Sequence, residues 1–380
     1  MGKIKNLFIV CGEPSGDLLA GNLIEAIKKS NPDIKVSAVG GAYLAKNADQ
    51  IFYNIKGLSV MGIIDALRKL PKFLKLKDLI LQKINTDKPD AIILVDFSGF
   101  NLRLARAINK LIPCIYYVSP QVWASREGRI NNIRKFISKM IVLFKFEEDF
   151  YRQHGIAASC LGHPLTDLVK PTFITKNFLE NFRITSAKKI IALLPGSRKQ
   201  EVRQILPLML KSAQLIHDKI PLTQFIIAKS PNLDTQIYRN ECKKFTLDFK
   251  IIDGLTSDCL NAAETSIICS GTATLEAAII GKPFVIVYKT NLLNYLLYRP
   301  QIKIPYIGMV NIVAGRKIIP EFIQFGAQPR RIADSIINLM QNSGKANQMK
   351  QELETVKASL GQPGASERAA KLILEFLNSR

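Results

Sequence analysis

Short apolar runs alternate with longer amphipathic segments along the whole chain. The apolar runs lie at residues 6–12, 34–40, 90–97, 114–120, 139–144, 188–198, 223–229, 249–254, 265–271 and 284–289. Runs this short, separated by helix-length segments, predict parallel strands with helices on both faces of a sheet. The pattern therefore predicts an α/β fold with two Rossmann-like, doubly wound domains that face each other across a cleft.

The domain limits follow from a break in this pattern after His163, where a loosely patterned, proline-containing stretch begins. The chain has 380 residues, and a single core stops growing at about 250–300 residues. We predict a first domain over residues 1–170 and a second over residues 186–364. The last helix is expected to return to the first domain, so that residues 365–380 complete it.

The composition is that of an ordered globular protein, with 47% hydrophobic and 22% charged residues. Its formal net charge of +22 indicates an acidic partner: nucleic acid, an anionic membrane or a phosphorylated substrate. The six cysteines have no C-x-x-C spacing, which is typical of reduced, buried thiols in a cytosolic protein. No run reaches the roughly 18 apolar residues of a membrane span, so we expect a cytoplasmic protein whose membrane contact is peripheral.

Two loops of the first half carry candidate chemistry, because parallel sheets bind ligands at the carboxyl ends of their strands. GEPSGD (12–17) combines two glycines with a helix N-terminus, although a turn capped by Ser15 or Asp17 explains it equally well. VDFSGFN (95–101) places Asp96 at the end of an apolar strand. Desolvation there would raise the pKa of the carboxyl group and suit it to accept a proton. Alternatively, Asp96 caps the next helix.

Two loops of the second half suggest a nucleotide site. In LPGSR (194–198), Ser197 and the adjacent amides can hold phosphate oxygens, and Arg198 can add charge to a diphosphate. In CSGTATLE (269–276), small residues leave room for a phosphate, and Glu276 can accept hydrogen bonds from ribose hydroxyls. The alternatives are a capped helix with a solvated arginine and a surface position for Glu276.

These motifs occur together with SVMG (59–62), YVSPQVWA (117–124), GHP (162–164) and NIVAGR (311–316). In this set and order, the chain resembles the lipid-A-disaccharide synthases over nearly its whole length. The resemblance implies a GT-B architecture with the donor held mainly by the second domain and the acceptor by the first. It also implies an inverting transfer, in which UDP-2,3-diacylglucosamine and 2,3-diacylglucosamine 1-phosphate (lipid X) give the β-1′,6-linked disaccharide 1-phosphate and UDP.

The resemblance also implies site residues by position. The residues implied in catalysis are Asp96 as general base, Glu13, Ser15 and Asn311. Those implied in donor binding are Ser197, Arg198, Gly271, Thr272 and Glu276. Two positions depart from the expected pattern, because Ser98 replaces a proline and Ser125 replaces a tryptophan. No D-x-D pair follows a strand in the second half, and the histidines lack ligand spacing. We therefore predict no metal and no cofactor.

Residues 58–77 mix apolar and basic side chains and predict a membrane-surface element, which we expect Pro71 to divide into two helices. The side chains predicted to contact acceptor or membrane are Met61, Arg68, Lys69, Lys72 and Lys75. An ordinary amphipathic surface helix is the alternative. Residues 291–303, rich in leucine and tyrosine, form a second candidate surface.

The partners expected from the resemblance are the two acylated sugars and the anionic cytoplasmic face of the bacterial inner membrane, with a homodimer suggested. Two other functions stay open. A nucleic-acid-binding protein would explain the charge, but the chain has no recognition motif or interleaved stacking aromatics. A UDP-N-acetylglucosamine epimerase would share the donor half but leave the basic segment and NIVAGR (311–316) unexplained.

Overall fold

The computed structural model of the chain describes residues 4–56, 58 and 63–380, except for the side chains at positions 63–67 and 298. The chain folds into two compact units. Unit 1 comprises Met1–Pro164, Pro300–Lys303 and Leu360–Arg380, and unit 2 comprises Leu165–Arg299 and Ile304–Ser359. Each unit contains one sheet.

Both sheets are entirely parallel. The strands of unit 1 are β1 (Asn6–Val10), β2 (Lys35–Gly40), β3 (Gln50–Asn54), β4 (Ala91–Val95), β5 (Cys114–Tyr117), β6 (Lys139–Val142) and β7 (Ala158–Cys160). Those of unit 2 are β8 (Lys189–Leu194), β9 (Thr223–Lys229), β10 (Phe249–Asp253), β11 (Thr265–Cys269), β12 (Phe284–Tyr288) and β13 (Glu321–Ile323). Their orders are β3-β2-β1-β4-β5-β6-β7 and β10-β9-β8-β11-β12-β13.

Helices connect the strands. In chain order they are α1 (Pro14–Ser30), α2 (Ile63–Asp87), α3 (Ser98–Ile108), α4 (Ile130–Phe136), α5 (Lys145–Gln153), α6 (Leu165–Leu168), α7 (Thr175–Asn181), α8 (Lys199–Lys219), α9 (Thr235–Cys242), α10 (Thr256–Ala262), α11 (Ala273–Ile280), α12 (Leu292–Tyr298), α13 (Met309–Ala314), α14 (Pro329–Gln341), α15 (Ser343–Ser359) and α16 (Ala365–Asn378). Within the described residues, no helix is both long and apolar enough to cross a membrane.

The central strands are those that the apolar runs predict, and they are buried along their whole length, as in β4 and β9. Helices on both faces of a parallel sheet cover such strands, which explains their continuous hydrophobicity. The analysis missed β3, β7 and β13. These three lie at sheet edges and are at most half-buried, so their sequences lack a strong apolar run.

The C-terminal helix α16 packs against α1 within unit 1 and buries Ala369, Ala370 and Ile373. This contact confirms the predicted return of the last helix to the first Rossmann-like fold. The prediction for Pro71 is wrong, because α2 runs through it as one helix. Pro71 has no N–H and cannot donate the usual hydrogen bond within the helix. Because Pro71 is exposed, this gap in the helix hydrogen bonds lies on the solvent side. Beyond it, buried Leu76 and Ile80 anchor the helix.

Candidate active site

Each sheet reverses its strand order at one place, and the predicted loops follow the strands on either side of it. In unit 1 the reversal lies between β1 and β4, which pair directly. In unit 2 it lies between β8 and β11. The carboxyl ends of strands at such a reversal form the crevice where open α/β sheets bind ligands. The topology therefore collects the four loops into two pairs, one pair in each unit.

The loops after β1 and β4 touch each other in unit 1. A Cβ atom added to Gly12 would lie 2.3 Å from the ring of Phe97, so no side chain fits there. A Cβ added to Gly16 would lie 3.6 Å from the Cβ of Asp96. The first turn of α1, with half-buried Glu13 and exposed Ser15, therefore packs directly against the Asp96 turn.

None of the predicted capping residues, Ser15, Asp17 and Asp96, lies at the N-cap position of its helix. Helix α1 has Glu13 at its N-cap, without a side-chain cap. Buried Asp17 instead accepts hydrogen bonds from the amides of Gly41 at 2.6 Å and Tyr43 at 2.9 Å, and so anchors the loop after β2. Helix α3 has Phe97 at its N-cap, also without a side-chain cap.

The Asp96 turn has a strained backbone. Asp96 and Phe97 have φ angles of 47° and 45°, and Val118 at the end of the neighbouring strand β5 has a φ of 64°. Each such left-handed residue costs about 1–2 kcal/mol, and a β-branched valine is a genuine outlier there. Strain of this kind persists where the surroundings enforce it, and it clusters at functional sites.

Hydrogen bonds to the backbone enforce this turn. The carbonyl oxygen of Asp96 accepts from the Tyr116 hydroxyl at 2.6 Å and from the Asn101 Nδ2 at 2.9 Å. Both of these side chains are fully buried. The amide of Asp96 donates to the carbonyl of Val118 at 3.3 Å. The backbone is thereby fixed, and the half-buried carboxylate of Asp96 stands at the carboxyl edge of the sheet.

In unit 2, the turn after β8 is closed by a carboxylate that the sequence analysis did not consider. Buried Glu201 accepts from the amides of Ser197 at 3.1 Å and Arg198 at 3.2 Å, and its other oxygen lies 2.8 Å from the Arg198 Nη1. The expectation that these amides hold phosphate needs correction, because Glu201 already occupies them. Exposed Ser197 and the outer part of Arg198 remain accessible.

The turn after β11 is open. Gly271 has a φ of 155°, and a Cβ added to it would meet nothing within 4 Å. Thr272 is exposed beside it, while the Ser270 hydroxyl donates to the carbonyl of Ile307 at 3.0 Å. Glu276, one turn into α11, is partly buried rather than on the surface, and burial raises its pKa to about 7. The loop thus offers space and backbone amides next to a carboxyl group that titrates near neutrality.

Asn311 has a structural position in unit 2. Its side chain is completely buried. Its Nδ2 donates to the carbonyl of Ile319 and to Glu321, both at 2.8 Å, and its Oδ1 accepts from the amides of Ile318 and Ile319, both at 2.9 Å. Both donors and both acceptor positions of the amide are thereby filled. A direct role in catalysis would require the side chain to exchange these bonds.

Glu321 continues this network towards the open turn after β11. It accepts from the amides of Ile307 at 3.1 Å and Gly308 at 2.9 Å, next to the carbonyl that Ser270 binds. Glu321 could not be found from the sequence, since nothing in a short edge strand marks a carboxylate as the acceptor for amides of another loop. Through it, Asn311 supports the segment that borders the predicted donor loop.

The basic segment 58–77 is only partly a free surface. Met61 lies outside the described residues. Arg68, Lys72 and Lys75 are exposed, and Lys69 is half-buried. The apolar side of α2 packs on unit 1, where Leu76, Ile80 and Ile84 are buried. The ring of Phe73 contacts those of Phe97 and Phe100 at centroid distances of 5.6 and 6.2 Å. From Phe73 onwards, the buried apolar side of α2 therefore packs as that of an ordinary amphipathic surface helix, which was the alternative to a membrane-surface element.

The second candidate surface is more exposed. Helix α12 of unit 2 presents four leucines with exposed fractions of 40–58%, and Phe325 nearby is 68% exposed. The four leucines are Leu292, Leu293, Leu296 and Leu297. Tyr295 packs edge-on against Phe325 at 6.0 Å. Adjacent exposed leucines on one short helix are typical of an interaction surface. We call these six side chains the α12 patch.

Comparison with known proteins identifies the family. The sequence pattern of the lipid-A-disaccharide synthetases matches residues 7–376. The chain belongs to this family. A lipid-A-disaccharide synthase of Syntrophus aciditrophicus is 38% identical over 98% of both chains. That of Myxococcus xanthus is 33% identical over 98% of this chain and 97% of its own.

Solved structures outside the family share the fold. The UDP-GlcNAc 2-epimerase from Neisseria meningitidis, bound to UDP-GlcNAc, has a TM-score of 0.65 at 15% identity, over 98% of this chain and all of its own. The Staphylococcus aureus MnaA–UDP structure has a TM-score of 0.66 at 14% identity, over 99% of this chain and 97% of its own. At such identities the likeness shows a GT-B fold alone, as predicted. The synthase family, matched over nearly the whole chain, is favoured over the epimerase alternative.

His163 of the GHP motif is packed rather than poised for chemistry. It is buried against the ring of Phe144, and burial lowers its pKa to about 3. It therefore stays neutral at physiological pH. Within the part of the chain that the structure describes, no group of three or more His, Cys, Asp or Glu side chains is arranged to hold a metal ion.

Glu147 is another functional neighbour that the sequence analysis missed. It is fully buried in unit 1 and accepts from the Ser119 hydroxyl at 2.9 Å and the Trp123 Nε1 at 3.0 Å. These bonds fix the loop of the YVSPQVWA motif after β5. Burial is the largest influence on Glu147 and raises the pKa of its carboxyl group. A motif of loop residues thus depends on a carboxylate more than twenty positions away.

Proposed function

We propose that the chain transfers an acylated glucosamine from UDP to a second acylated glucosamine, with inversion, in lipid A biosynthesis. The donor is UDP-2,3-diacylglucosamine and the acceptor is 2,3-diacylglucosamine 1-phosphate. The products are the β-1′,6-linked disaccharide 1-phosphate and UDP. The observation that carries the proposal is the match to the lipid-A-disaccharide synthetase family over residues 7–376.

The proposal divides the work between the units. Unit 1 binds the acceptor, and Asp96 accepts the proton of its 6-hydroxyl as that oxygen attacks the anomeric carbon of the donor. The bond between this carbon and the UDP oxygen breaks with its electron pair on UDP, so the configuration inverts. A strained turn that fixes the Asp96 backbone supports this role, because general bases need exact placement. Glu13 and Ser15, packed beside this turn, are proposed to orient the acceptor.

Unit 2 is proposed to bind the UDP part of the donor. Arg198 stabilises the charge that develops on the leaving diphosphate. The open turn at Gly271 and Thr272 supplies space and backbone amides for a phosphate, as helix N-termini do. Glu276 accepts hydrogen bonds from the ribose. Since Glu201 holds the amides of Ser197 and Arg198, we assign them to positioning Arg198 rather than to direct phosphate binding.

One assay tests the proposed function. Purified protein is incubated with UDP-2,3-diacylglucosamine, with and without the acylated 1-phosphate acceptor, and both UDP and disaccharide are measured. The transferase releases UDP and forms disaccharide in equal amounts, and only when the acceptor is present. An epimerase would change the donor sugar without an acceptor, and that outcome would overturn the proposal.

We also propose peripheral binding to the anionic cytoplasmic face of the inner membrane. Both substrates carry acyl chains, and the exposed basic side chains of α2 and the leucines of the α12 patch suit an anionic lipid surface. Each basic side chain near such a surface contributes about 1 kcal/mol. Changing Lys72 and Lys75 to Gln should therefore weaken binding to phosphatidylglycerol vesicles about 10- to 30-fold, and less at high salt.

A control variant separates membrane contact from total charge. The double change of Arg330 and Arg331, two exposed arginines of α14, to Gln removes the same charge from unit 2. Equal weakening by both double variants would show that net charge, not α2, governs binding. Changing Leu293 and Leu296 to Ser tests the α12 patch in the same way. A homodimer, suggested by the family resemblance, is tested by light scattering of the purified chain.

A further inference from the structure

Three arginines form a group of interacting charges in unit 1, and one of them, Arg129, contacts the Asp96 turn. Arg129 ends a short 3-10 turn, Glu127–Arg129, and its Nη1 donates to the Ser98 hydroxyl at 3.0 Å. Ser98 is only two positions beyond Asp96, so the guanidinium lies against the same turn. The charges of Arg126 and Arg103 act on Arg129, as does the ring hydroxyl of Tyr116. That hydroxyl in turn donates to the carbonyl of Asp96.

The three positive charges have no carboxylate partner. Among the residues that the structure describes, no Asp or Glu forms an ion pair with Arg103, Arg126 or Arg129. The carboxylate nearest in sequence, Glu127, is engaged elsewhere. It contacts the Nζ of Lys303 at 2.6 Å and the Nε2 of His154 at 3.2 Å.

Like charges without a counter-ion repel one another, and the effect shows on Arg129. This half-buried side chain has its pKa lowered, first by burial and next by the charge of Arg126, with Arg103 acting in the same direction. An anion beside Arg129 would offset the repulsion from Arg126 and Arg103 and would pair the half-buried charge of Arg129. Guanidinium groups bind phosphate through paired hydrogen bonds, and the Ser98 hydroxyl can donate a further one.

We propose that Arg103, Arg126 and Arg129, with Ser98, bind the phosphomonoester of the acceptor sugar. The inference rests on the proposed function, in which the acceptor carries a 1-phosphate and presents its 6-hydroxyl to Asp96. The phosphate on C1 and the hydroxymethyl group on C5 flank the ring oxygen of one sugar. An anion site that touches the Asp96 turn through Ser98 is therefore in the right neighbourhood to hold the phosphate while Asp96 meets the 6-hydroxyl.

The test compares two acceptors, 2,3-diacylglucosamine 1-phosphate and the same sugar without phosphate. The parent protein should prefer the phosphorylated acceptor. Arg129→Gln should lower kcat/KM for the phosphorylated acceptor about 10- to 100-fold, since hydrogen bonds to charged groups are worth that much. Its kcat/KM for the unphosphorylated sugar should change less than about threefold. Arg126→Gln should act in the same direction, and Arg129→Lys should recover part of the loss.

Arg106→Gln is the matched control, because Arg106 is an exposed arginine on α3, the helix that also carries Arg103. This variant should leave both kcat/KM values unchanged. Equal losses of Arg129→Gln on both acceptors would overturn the proposal in favour of a structural role. A rise in the KM of the UDP donor alone would point to the diphosphate instead. Loss of vesicle binding without a change in acceptor preference would point to lipid headgroups.

A direct binding measurement separates this inference from the proposed function. Glucosamine 1-phosphate, glucosamine and inorganic phosphate are titrated into the parent and Arg129→Gln proteins by calorimetry. The proposal expects glucosamine 1-phosphate to bind the parent more tightly than either other compound, and Arg129→Gln to bind it at least about tenfold more weakly. Absence of turnover with intact, Arg129-dependent binding would reject the transferase reaction but keep the anion site. If the parent turns over but Arg129→Gln binds glucosamine 1-phosphate as tightly as the parent does, the transferase reaction stands and the anion site is rejected.

Discussion

The turns after β4 and β8 both lie at the strand-order reversal of their sheets, yet they are built in opposite ways. The turn of unit 1 uses non-glycine residues in strained conformations and holds them by hydrogen bonds to the backbone carbonyl of Asp96. The turn of unit 2 uses Gly196, at a φ of 111°, and ties its amides to the carboxylate of Glu201. One turn presents a carboxylate and the other presents an arginine.

This difference teaches how one topology serves two halves of a transfer reaction. In both units, the end of a strand at the strand-order reversal sets the position of the charged side chain. The local hydrogen bonds decide which charge faces the ligand. A base is needed where a proton leaves, and a cation is needed where a diphosphate departs. Four substitutions sharpen or break this comparison.

The largest effect is expected from Asp96→Asn. Asparagine keeps the size and the backbone bonds of the turn but cannot accept the proton, so turnover should fall about 10²- to 10⁴-fold. Donor binding, measured as UDP affinity, should stay within about twofold of the parent. A variant that folds, binds UDP and turns over at the parental rate would show that the proton goes elsewhere, and Glu13 would be tested next.

Glu276→Gln should change the pH dependence of stability. Burial raises the pKa of Glu276 to about 7 from an ordinary 4.5, so the folded chain holds this proton more tightly than the unfolded chain. Its contribution is therefore fully present below pH 4.5 and is lost as the pH rises to about 7. Against the variant, the ligand-free parent should lose on the order of 3 kcal/mol over this range.

Urea unfolding of both proteins at pH 5 and pH 8 measures this. Their free energies of unfolding should be similar at pH 5, and the variant should be the more stable at pH 8. Bound UDP should reduce the stability advantage of the variant at pH 8, because ribose hydroxyls stabilise the charged carboxylate of the parent. Parallel stability profiles for the two proteins across this range would contradict the burial of Glu276.

Arg198→Ala tests the cation of the unit 2 turn. Loss of a charged contact to the diphosphate should weaken UDP binding about 10- to 30-fold and lower turnover at least as much. The KM of the acceptor should not change, since unit 1 is proposed to bind it. An affinity for UDP within about twofold of the parent would remove Arg198 from the donor site.

The smallest effect is expected from Glu201→Gln, but whether UDP affinity falls or rises in this variant is the most informative result. Glutamine keeps one oxygen that can accept from both amides but loses the charge that holds Arg198, so UDP affinity should fall about three- to fivefold. If affinity rises instead, the carboxylate competes with phosphate for the amides of Ser197 and Arg198. That outcome would restore the original expectation that these amides bind the donor directly.

Much of the site was visible in the sequence because its loops follow buried strands. The apolar runs that became β1, β4, β8 and β11 predicted where Asp96, Arg198 and Glu276 would stand. The hydrogen bonds that hold these turns in place were not visible in the sequence. Tyr116 supports Asp96 only because strand β5 lies beside β4, and the bond from Arg129 to Ser98 joins positions 31 residues apart.

The hydrophobic pattern by itself determined the two parallel sheets, since the burial of central strands on both faces requires continuous apolar runs. The motifs determined the family. Only the tertiary structure decided which polar groups are already satisfied. It filled every hydrogen-bonding position of the Asn311 side chain, gave the amides after β8 to Glu201, and set Arg129 against the Asp96 turn without an ion-pair partner among the described residues. The physical reason is that hydrogen bonds and ion pairs depend on distances between chain segments, which a linear pattern does not contain.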